Sequence, residues 1–168
     1  MNKMKQIKVE KVTLNMGVGE PGEPLKKAAE VVKQIAFGAK SVQTLGKVRA
    51  PTWGVREGLP IGVKTTLRGK KAIDFLIKAF KARENKLKEK SFDSLGNFGF
   101  GIEEYIDIPG VKYDPRLGIM GLDVLVTLER PGYRIKRRKN SSRISKKHLI
   151  TKQEAVEFVK QSYGVEII

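Results

Sequence analysis

Apolar and polar residues alternate over residues 7–18. Val12, Leu14, Met16 and Val18 interleave with Thr13, Asn15 and Gly17, the two-residue period of a strand with one buried face. Ile7 and Val9 fall in the opposite phase, so a bulge or irregularity is expected near Glu10. A turn over residues 17–23 leads to Pro24, a residue suited to the first position of a helix. Leu25, Ala28, Ala29, Val32, Ile35 and Ala36 then recur at helical spacing until Gly38 offers a stop. A second strand is expected over residues 41–48 and a third over 61–69, separated by a loop with Pro51, Gly54, Gly58 and Pro60. The third has the cleanest alternation in the chain. Ile61, Val63, Thr65 and Leu67 point one way, and Gly62, Lys64, Thr66 and Arg68 the other.

The next periodic stretch predicts a helix over 70–87, with Ile73, Leu76, Ile77 and Phe80 facing a core. Strands are expected over 98–108, interrupted by Gly99 and Gly101, and over 122–128, with Pro109, Gly110 and Pro115 in the loop between. Thr151 with Glu154 makes a capping box for a last helix bearing Ala155, Phe158 and Val159. Gly164 ends that helix, and residues 165–168 suit a short terminal strand. There is no internal repeat. The order β-α-β-β-α-β-β-α-β, with hairpin-length connections, implies an α+β fold: an antiparallel sheet with helices packed on one face and a polar face opposite. Residues 1–168 are expected to form a single domain, with a projecting loop over 49–60 and a basic extension over 130–148.

Charge changes the picture. The net charge is +16, a self-repulsion that a polyanion would relieve. Residues 31–56 carry Lys33, Lys40, Lys47, Arg49 and Arg56 and no acid. Residues 134–153 carry Arg134, Lys136, Arg137, Arg138, Lys139, Arg143, Lys146, Lys147 and Lys152, again with no acid, whereas residues 91–133 are net acidic. Two basic fields suit a particular nucleic-acid surface better than a membrane. No apolar run approaches the length of a spanning helix, and the N-terminal residues lack the core of a signal peptide. With no cysteine, disulfide and thiolate chemistry are excluded. The expectation is a soluble, cytoplasmic protein without metal or cofactor and without a homo-oligomeric partner.

Candidate chemistry elsewhere is weak. Gly17-Val-Gly-Glu-Pro-Gly22 matches a dinucleotide-binding G-x-G-x-x-G between strand and helix, but no acid follows between Glu30 and Glu57 to take a ribose, and Pro21 removes an N–H. A tight turn is the better reading. Asn97-Phe-Gly-Phe-Gly-Ile102 resembles part of an RNA-stacking octapeptide but departs from it on both sides, which favours core aromatics. His148, the one histidine, is expected to be solvated; with no cysteine it cannot anchor the usual zinc sets. Glu103 and Glu104, adjacent in a predicted strand, point to opposite faces and cannot act as an acid–base pair. Nothing here supports catalysis. Trp53, beside Arg49, Thr52 and Arg56, is either a core residue or a partner contact. The stretch 134–147 has too few apolar residues to order itself, so it is expected to be mobile until RNA holds it.

Five stretches in order carry a resemblance: Leu14-Asn-Met-Gly-Val-Gly-Glu20, Arg56-Glu-Gly-Leu-Pro-Ile-Gly62, Thr66-Leu-Arg-Gly69, Ser91-Phe-Asp93 with Gly96-Asn97, and Gly121-Leu-Asp123. Together they resemble the large-subunit ribosomal protein five family over nearly the whole chain. The resemblance implies a structural protein of the central protuberance that binds 5S rRNA and large-subunit rRNA. It also implies a loop toward peptidyl-site tRNA and a bridge to a small-subunit head protein. By motif match, Asn15, Thr44, Lys47, Thr66 and Arg68 become candidates for the 5S surface, with Lys64 beside them. Lys40, Asn97 and the basic residues Arg134, Lys136, Arg137, Arg138, Lys139, Arg143, Lys146 and Lys147 complete the rRNA candidates. Arg49, Thr52, Trp53 and Arg56 are the tRNA candidates. The chain starts near its first strand and carries the segment from Arg130 to Lys147, a combination that resembles the archaeal and eukaryotic branch, its shortness favouring archaeal. Ser94 and Leu95 stand where the family often has Gly-Arg, so a phosphate contact through that arginine is lost. The rivals are a nucleotide-dependent enzyme using residues 17–22 and an RNA-processing or chaperone factor off the ribosome.

Overall fold

The computed structural model describes residues 2–140 and 142–168. Its elements run β1 (Lys8–Gly17), α1 (Glu23–Ile35), β2 (Val42–Leu45), β3 (Pro60–Leu67), α2 (Lys70–Ala82), β4 (Lys86–Leu87), β5 (Phe98–Ile102), β6 (Leu122–Glu129), α3 (Lys152–Tyr163) and β7 (Glu166–Ile167). The main sheet has the order β2-β3-β1-β6-β5, and all of its neighbours are antiparallel. β4 and β7 form a separate parallel ribbon that joins the end of α2 to the C-terminus. The α+β class and the antiparallel sheet agree with the alternation pattern; the short β4 is additional to it.

Strand β1 lies at the centre. Val12, Leu14 and Met16 are buried, and the pairing with β6 shifts between Val9 and Lys11, where the change of phase placed an irregularity. α1 opens at Gly22, whose φ of 101° is closed to most L-residues. The helix lays Leu25, Ala28, Val31, Val32 and Ile35 on the sheet beside β3 and β1. These join residues of β3, α2, β5, β6 and α3 in one continuous apolar cluster.

Two expectations fail at α2. It ends at Ala82, not at residue 87, because Glu84 and Asn85 turn left-handed and Asn85 N–H donates back to the Phe80 carbonyl. Leu87 is then buried as part of β4. Ile73 and Ile77 are exposed, and the buried stripe is Ala72, Phe75, Leu76, Ala79 and Phe80. Both sets have helical spacing. Leu76 and Phe80 belong to both; the helix is rotated so that Ala72, Phe75 and Ala79 join them, and Phe80 stacks on Phe98 and Phe100 with ring centroids 6.3 and 5.5 Å away. Those two phenylalanines are therefore core residues. β5 also stops short of residue 108, because the chain turns after Ile102 into a single 3-10 turn, Tyr105–Asp107, that buries Tyr105.

α3 begins with the expected capping box. Glu154 N–H donates to Thr151 Oγ1 (3.4 Å), and Glu154 Oε2 accepts from Thr151 N–H (3.0 Å). Glu154 Oε1 also receives Arg130 Nη2 at 2.7 Å. Arg130 is buried, and its Nη1 donates to the carbonyls of His148 (3.3 Å) and Leu149 (3.1 Å). The Tyr133 hydroxyl donates to the His148 carbonyl (3.2 Å) and accepts from Ile150 N–H (3.0 Å). His148 is not solvated as expected. It is half-buried against Tyr133, and its Nε2 lies 2.9 Å from the Pro131 carbonyl, which requires the proton to be on that nitrogen.

The Glu154 carboxyl is held below the usual carboxylate range, chiefly by the Thr151 N–H and, against partial desolvation, by Arg130. A depressed carboxyl stabilises the fold above the ordinary carboxylate range and loses that contribution as pH falls through its own lower value. Glu154→Gln is expected to cost about 1.5 kcal/mol at neutral pH, the low end for charge-assisted bonds because the group is partly exposed. The difference from the parent should close on acidification through that window, as thermal unfolding of both proteins across it will show.

Candidate nucleic-acid interface

Among the described residues, no α-helix packs on the face of the main sheet opposite α1 and α2, and strand register fixes which side chains share it. Asn15 lies opposite Lys64 and Thr13 opposite Thr66, while Gly17 faces Gly62. On β2, Val42 and Thr44 pair with Lys64 and Gly62. On the other flank, Asp123 pairs with Asn15, Leu125 with Thr13, and Thr127 with Lys11. Gly101 and Gly99 stand opposite Asp123 and Leu125. Four sequence candidates from three strands, Asn15, Thr44, Lys64 and Thr66, thus come together beside the unanticipated Lys11, Thr13, Asp123, Leu125 and Thr127, and Arg68, just past the end of β3, joins them through its bond to Glu10. Thr13 was legible as the alternate of Val12 and Leu14, and Asp123 lies inside a quoted motif; Thr127 alternates with buried Val126 and Leu128.

The glycines shape this face. A Cβ on Gly62 would stand 2.7 Å from Thr44 Oγ1 and 2.8 Å from the Met16 carbonyl, so the Thr44 side chain rests on bare backbone. Asn15 Nδ2 approaches Asp123 Oδ2 at 3.4 Å, a long bond that leaves the amide free to serve another acceptor.

The loop over 49–60 is more ordered than its prolines and glycines imply. Gly46 N–H donates to the Leu59 carbonyl (2.8 Å) and Gly58 N–H to the Gly46 carbonyl (2.9 Å), closing its base. Higher up, Ala50 and Val55 exchange both backbone bonds, and Pro51–Trp53 form one 3-10 turn closed by Gly54. Trp53 at the tip is 81% exposed, so the core alternative is excluded. Arg49, Thr52 and Arg56 are exposed around it, and Lys47 is exposed near the base.

The basic stretch 134–147, expected to be largely mobile until RNA holds it, is bracketed by fixed contacts on both sides. Tyr133 and Arg130 hold the return of the chain at residues 148–150, and Lys136 Nζ lies 5.6 Å over the Tyr133 ring. Arg134, Lys136, Arg137, Arg138, Lys139, Arg143, Lys146 and Lys147 are all exposed. Arg137 bonds Glu10 Oε2 (2.7 Å) and Glu129 Oε2 (3.2 Å), while Arg68 Nη1 reaches Glu10 Oε1 (3.3 Å). The segment therefore lies against the edge of the sheet face, through an acid that the sequence reading did not single out.

Other candidates resolve differently. Lys40 has an exposed side chain, and its carbonyl accepts from Thr65 Oγ1 (3.0 Å). Asn97 is occupied within its own loop. Its Nδ2 donates to Asp93 Oδ2 (2.9 Å) and its Oδ1 accepts from Leu128 N–H (3.3 Å). In the Gly17–Gly22 turn, the Val18 and Gly19 N–H groups both donate to the Ile61 carbonyl at 2.9 Å. Two amides that a phosphate cradle would need are thereby consumed. Among the described residues there is no cluster of metal-ligating side chains and no helix long and apolar enough to cross a membrane.

Residues 2–56 match the family model described as Ribosomal protein L5, and residues 60–158 match the model for the C-terminus of the same ribosomal family. The two stretches meet at the loop and interleave in one sheet, since β1 and β2 of the first pair with β3 and β6 of the second. The large ribosomal subunit protein uL5 of Sulfurisphaera tokodaii is 48% identical over 100% of this chain and 96% of its own length. That of Nanoarchaeum equitans is 52% identical over 98% of each. That of Sulfolobus acidocaldarius is 47% identical over 99% of this chain and 94% of its own length. The chain therefore belongs to the ribosomal protein L5 family, alongside archaeal uL5 proteins, and is a non-enzymatic structural component of the large ribosomal subunit in the cytoplasm.

Proposed function

We propose that the sheet face opposite α1 and α2 binds 5S rRNA, that the basic extension over 130–148 engages large-subunit rRNA beside it, and that the loop over 49–60 contacts peptidyl-site tRNA. The whole chain acts as a single RNA-binding unit in the central protuberance. It borders neighbouring ribosomal proteins, including one of the small-subunit head across the subunit bridge. The observation that carries the reading is the convergence of Asn15, Thr44, Lys64 and Thr66 on the sheet face opposite α1 and α2, with Arg68 at its end.

The chemistry is binding. Lys64 and Arg68 neutralise phosphates, and Asn15, Thr44, Thr13 and Thr66 offer donors and acceptors to 2′-hydroxyls and exposed base edges. Gly17 and Gly62, facing each other across β1 and β3, let a ribose–phosphate strand approach the sheet closely. A sheet held rigid by its buried face pays little ordering cost when RNA docks.

Arg68→Ala is expected to weaken 5S rRNA binding by about 1.5–3 kcal/mol, the range for hydrogen bonds to charged groups, and Thr66→Ala by about 0.5–1.5 kcal/mol. Titration of the folded variants with 5S rRNA measures both, and unchanged affinity in both would assign the RNA to another surface. Removing residues 134–147 in favour of a short neutral linker should lower affinity for large-subunit rRNA. It should also flatten the decline of affinity with salt, because fewer counterions are released on binding. A parallel salt dependence for the two proteins would show that this segment does not meet phosphate.

Trp53 offers an aromatic face for stacking, and Arg49 and Arg56 offer charge on either side. Replacing residues 51–57 by Gly-Gly should leave thermal unfolding and incorporation into the large subunit unchanged, because the rungs at Gly46, Gly58 and Leu59 remain. Dissociation of tRNA from the peptidyl site should become faster, read directly from tRNA release by assembled ribosomes. An unaltered release rate would give the loop a different partner.

A further inference from the structure

Glu10 is an acid placed where a polyanion is expected to dock, and electrostatics alone would disfavour it there. It sits at the irregularity in β1, between Val9, which pairs with Leu128, and Lys11, which pairs with Thr127. An inserted residue re-aims a side chain that regular alternation would send elsewhere. Glu10 uses that freedom to place one carboxylate oxygen 3.3 Å from Arg68 Nη1 and the other 2.7 Å from Arg137 Nη2. Arg68 follows β3, and Arg137 belongs to the basic extension, so this carboxylate is a direct link between the two surfaces proposed to hold RNA.

The exposures have a definite order. The Glu10 side chain is 9% exposed, whereas those of Arg68 and Arg137 are 57% and 42% exposed. The acid lies beneath and the guanidinium groups lie above it. Arg68 commits one terminal nitrogen to the carboxylate, as does Arg137, which shares that same nitrogen with Glu129. Of the five N–H donors on each guanidinium, at least three are left uncommitted by these bonds. With Glu10, Glu129, Arg68 and Arg137 together, the cluster is neutral, so its worth to RNA lies in geometry and not in bulk attraction.

We infer that Glu10 is a positioning residue for RNA binding. It fixes Arg68 and Arg137 side by side, so that the sheet face and the basic extension present one continuous set of donors to a phosphate backbone. This rests on the proposed assignment of the sheet face to 5S rRNA. Holding two long, flexible side chains in one arrangement before binding removes rotamer entropy that RNA would otherwise have to offset.

The test exploits opposite signs. Glu10→Gln removes a negative charge, so simple electrostatics predicts tighter RNA binding; positioning predicts weaker binding, on the order of tenfold. Glu10→Asp keeps the charge but is one methylene shorter and cannot reach both arginines, so positioning again predicts weaker binding while simple electrostatics predicts no change. Each variant is compared with the full-length parent by titration against 5S rRNA, with thermal unfolding measured alongside. Backbone-cleavage footprints should lose protection near the two arginines and keep it at the far end of the sheet face, a local loss that general destabilisation would not produce. In an Arg68→Ala, Arg137→Ala background, Glu10→Gln should no longer weaken binding. Equal or tighter binding by both folded single variants, with the parent binding normally, overturns the role of Glu10 alone. A parent that does not prefer 5S rRNA to an unrelated structured RNA overturns the underlying surface assignment, and the role of Glu10 with it.

Discussion

Burial of one face of the central strand β1 ties the core of this protein to its interface. Val12, Leu14 and Met16 lie under the helices, and the pleat then leaves Thr13, Asn15 and Gly17 no choice but the opposite side. Because β1 is hydrogen-bonded to β3 and β6, its phase is imposed on both. A one-residue slip would bury polar side chains and expose apolar ones on the central strand, so register is specified by the hydrophobic effect. The polar constellation proposed to meet RNA is thus the complement of the core and needs no separate device to hold it.

A chain with a net charge of +16 folds by the same separation of faces. Its lysines and arginines stand mostly on the surface, and its acids occupy a few definite posts. Glu10 and Glu129 take Arg137 and Arg68, Glu154 takes buried Arg130, and Glu89 holds Lys152 at 2.7 Å. Arg130 matters most among these for the fold. It satisfies two carbonyls where the basic extension returns, and it links that return to the capping box of α3. A segment too polar to fold by itself gains fixed ends from a neighbouring helix.

Rigidity and reach are divided between parts of the chain. The sheet face is floored by glycines, suited to shape complementarity with an RNA groove. The loop projects charge and, in Trp53, an aromatic surface away from it, while the extension lies against one end of it through Arg137. The loop keeps its form through backbone rungs at its base and near its tip, so its exposed side chains can be presented without a supporting core.

The sequence by itself determined the order of the main strands and the three helices, the irregularity at Glu10, the capping box at Thr151 and the polar row Lys64, Thr66 and Arg68. Each follows from spacing within one short segment, which is all that periodicity and turn chemistry require. Five separated motifs sufficed to point to the family. What depends on two segments meeting was decided only by the tertiary structure. Ile73 and Ile77 fit a helical stripe with Leu76 and Phe80 as well as Ala72 and Phe75 do, and only the packing of the helix on the rest of the core shows which pair is buried. Asn85 suits the left-handed turn that ends α2, but that the chain then enters a strand follows only from the pairing of β4 with β7. His148 reads as solvated until Pro131 and Tyr133 are beside it. Glu10 looks like one more surface acid among many basic residues, and its contact with Arg68 and Arg137 exists only because the folded sheet brings residues from three distant stretches within a few ångströms.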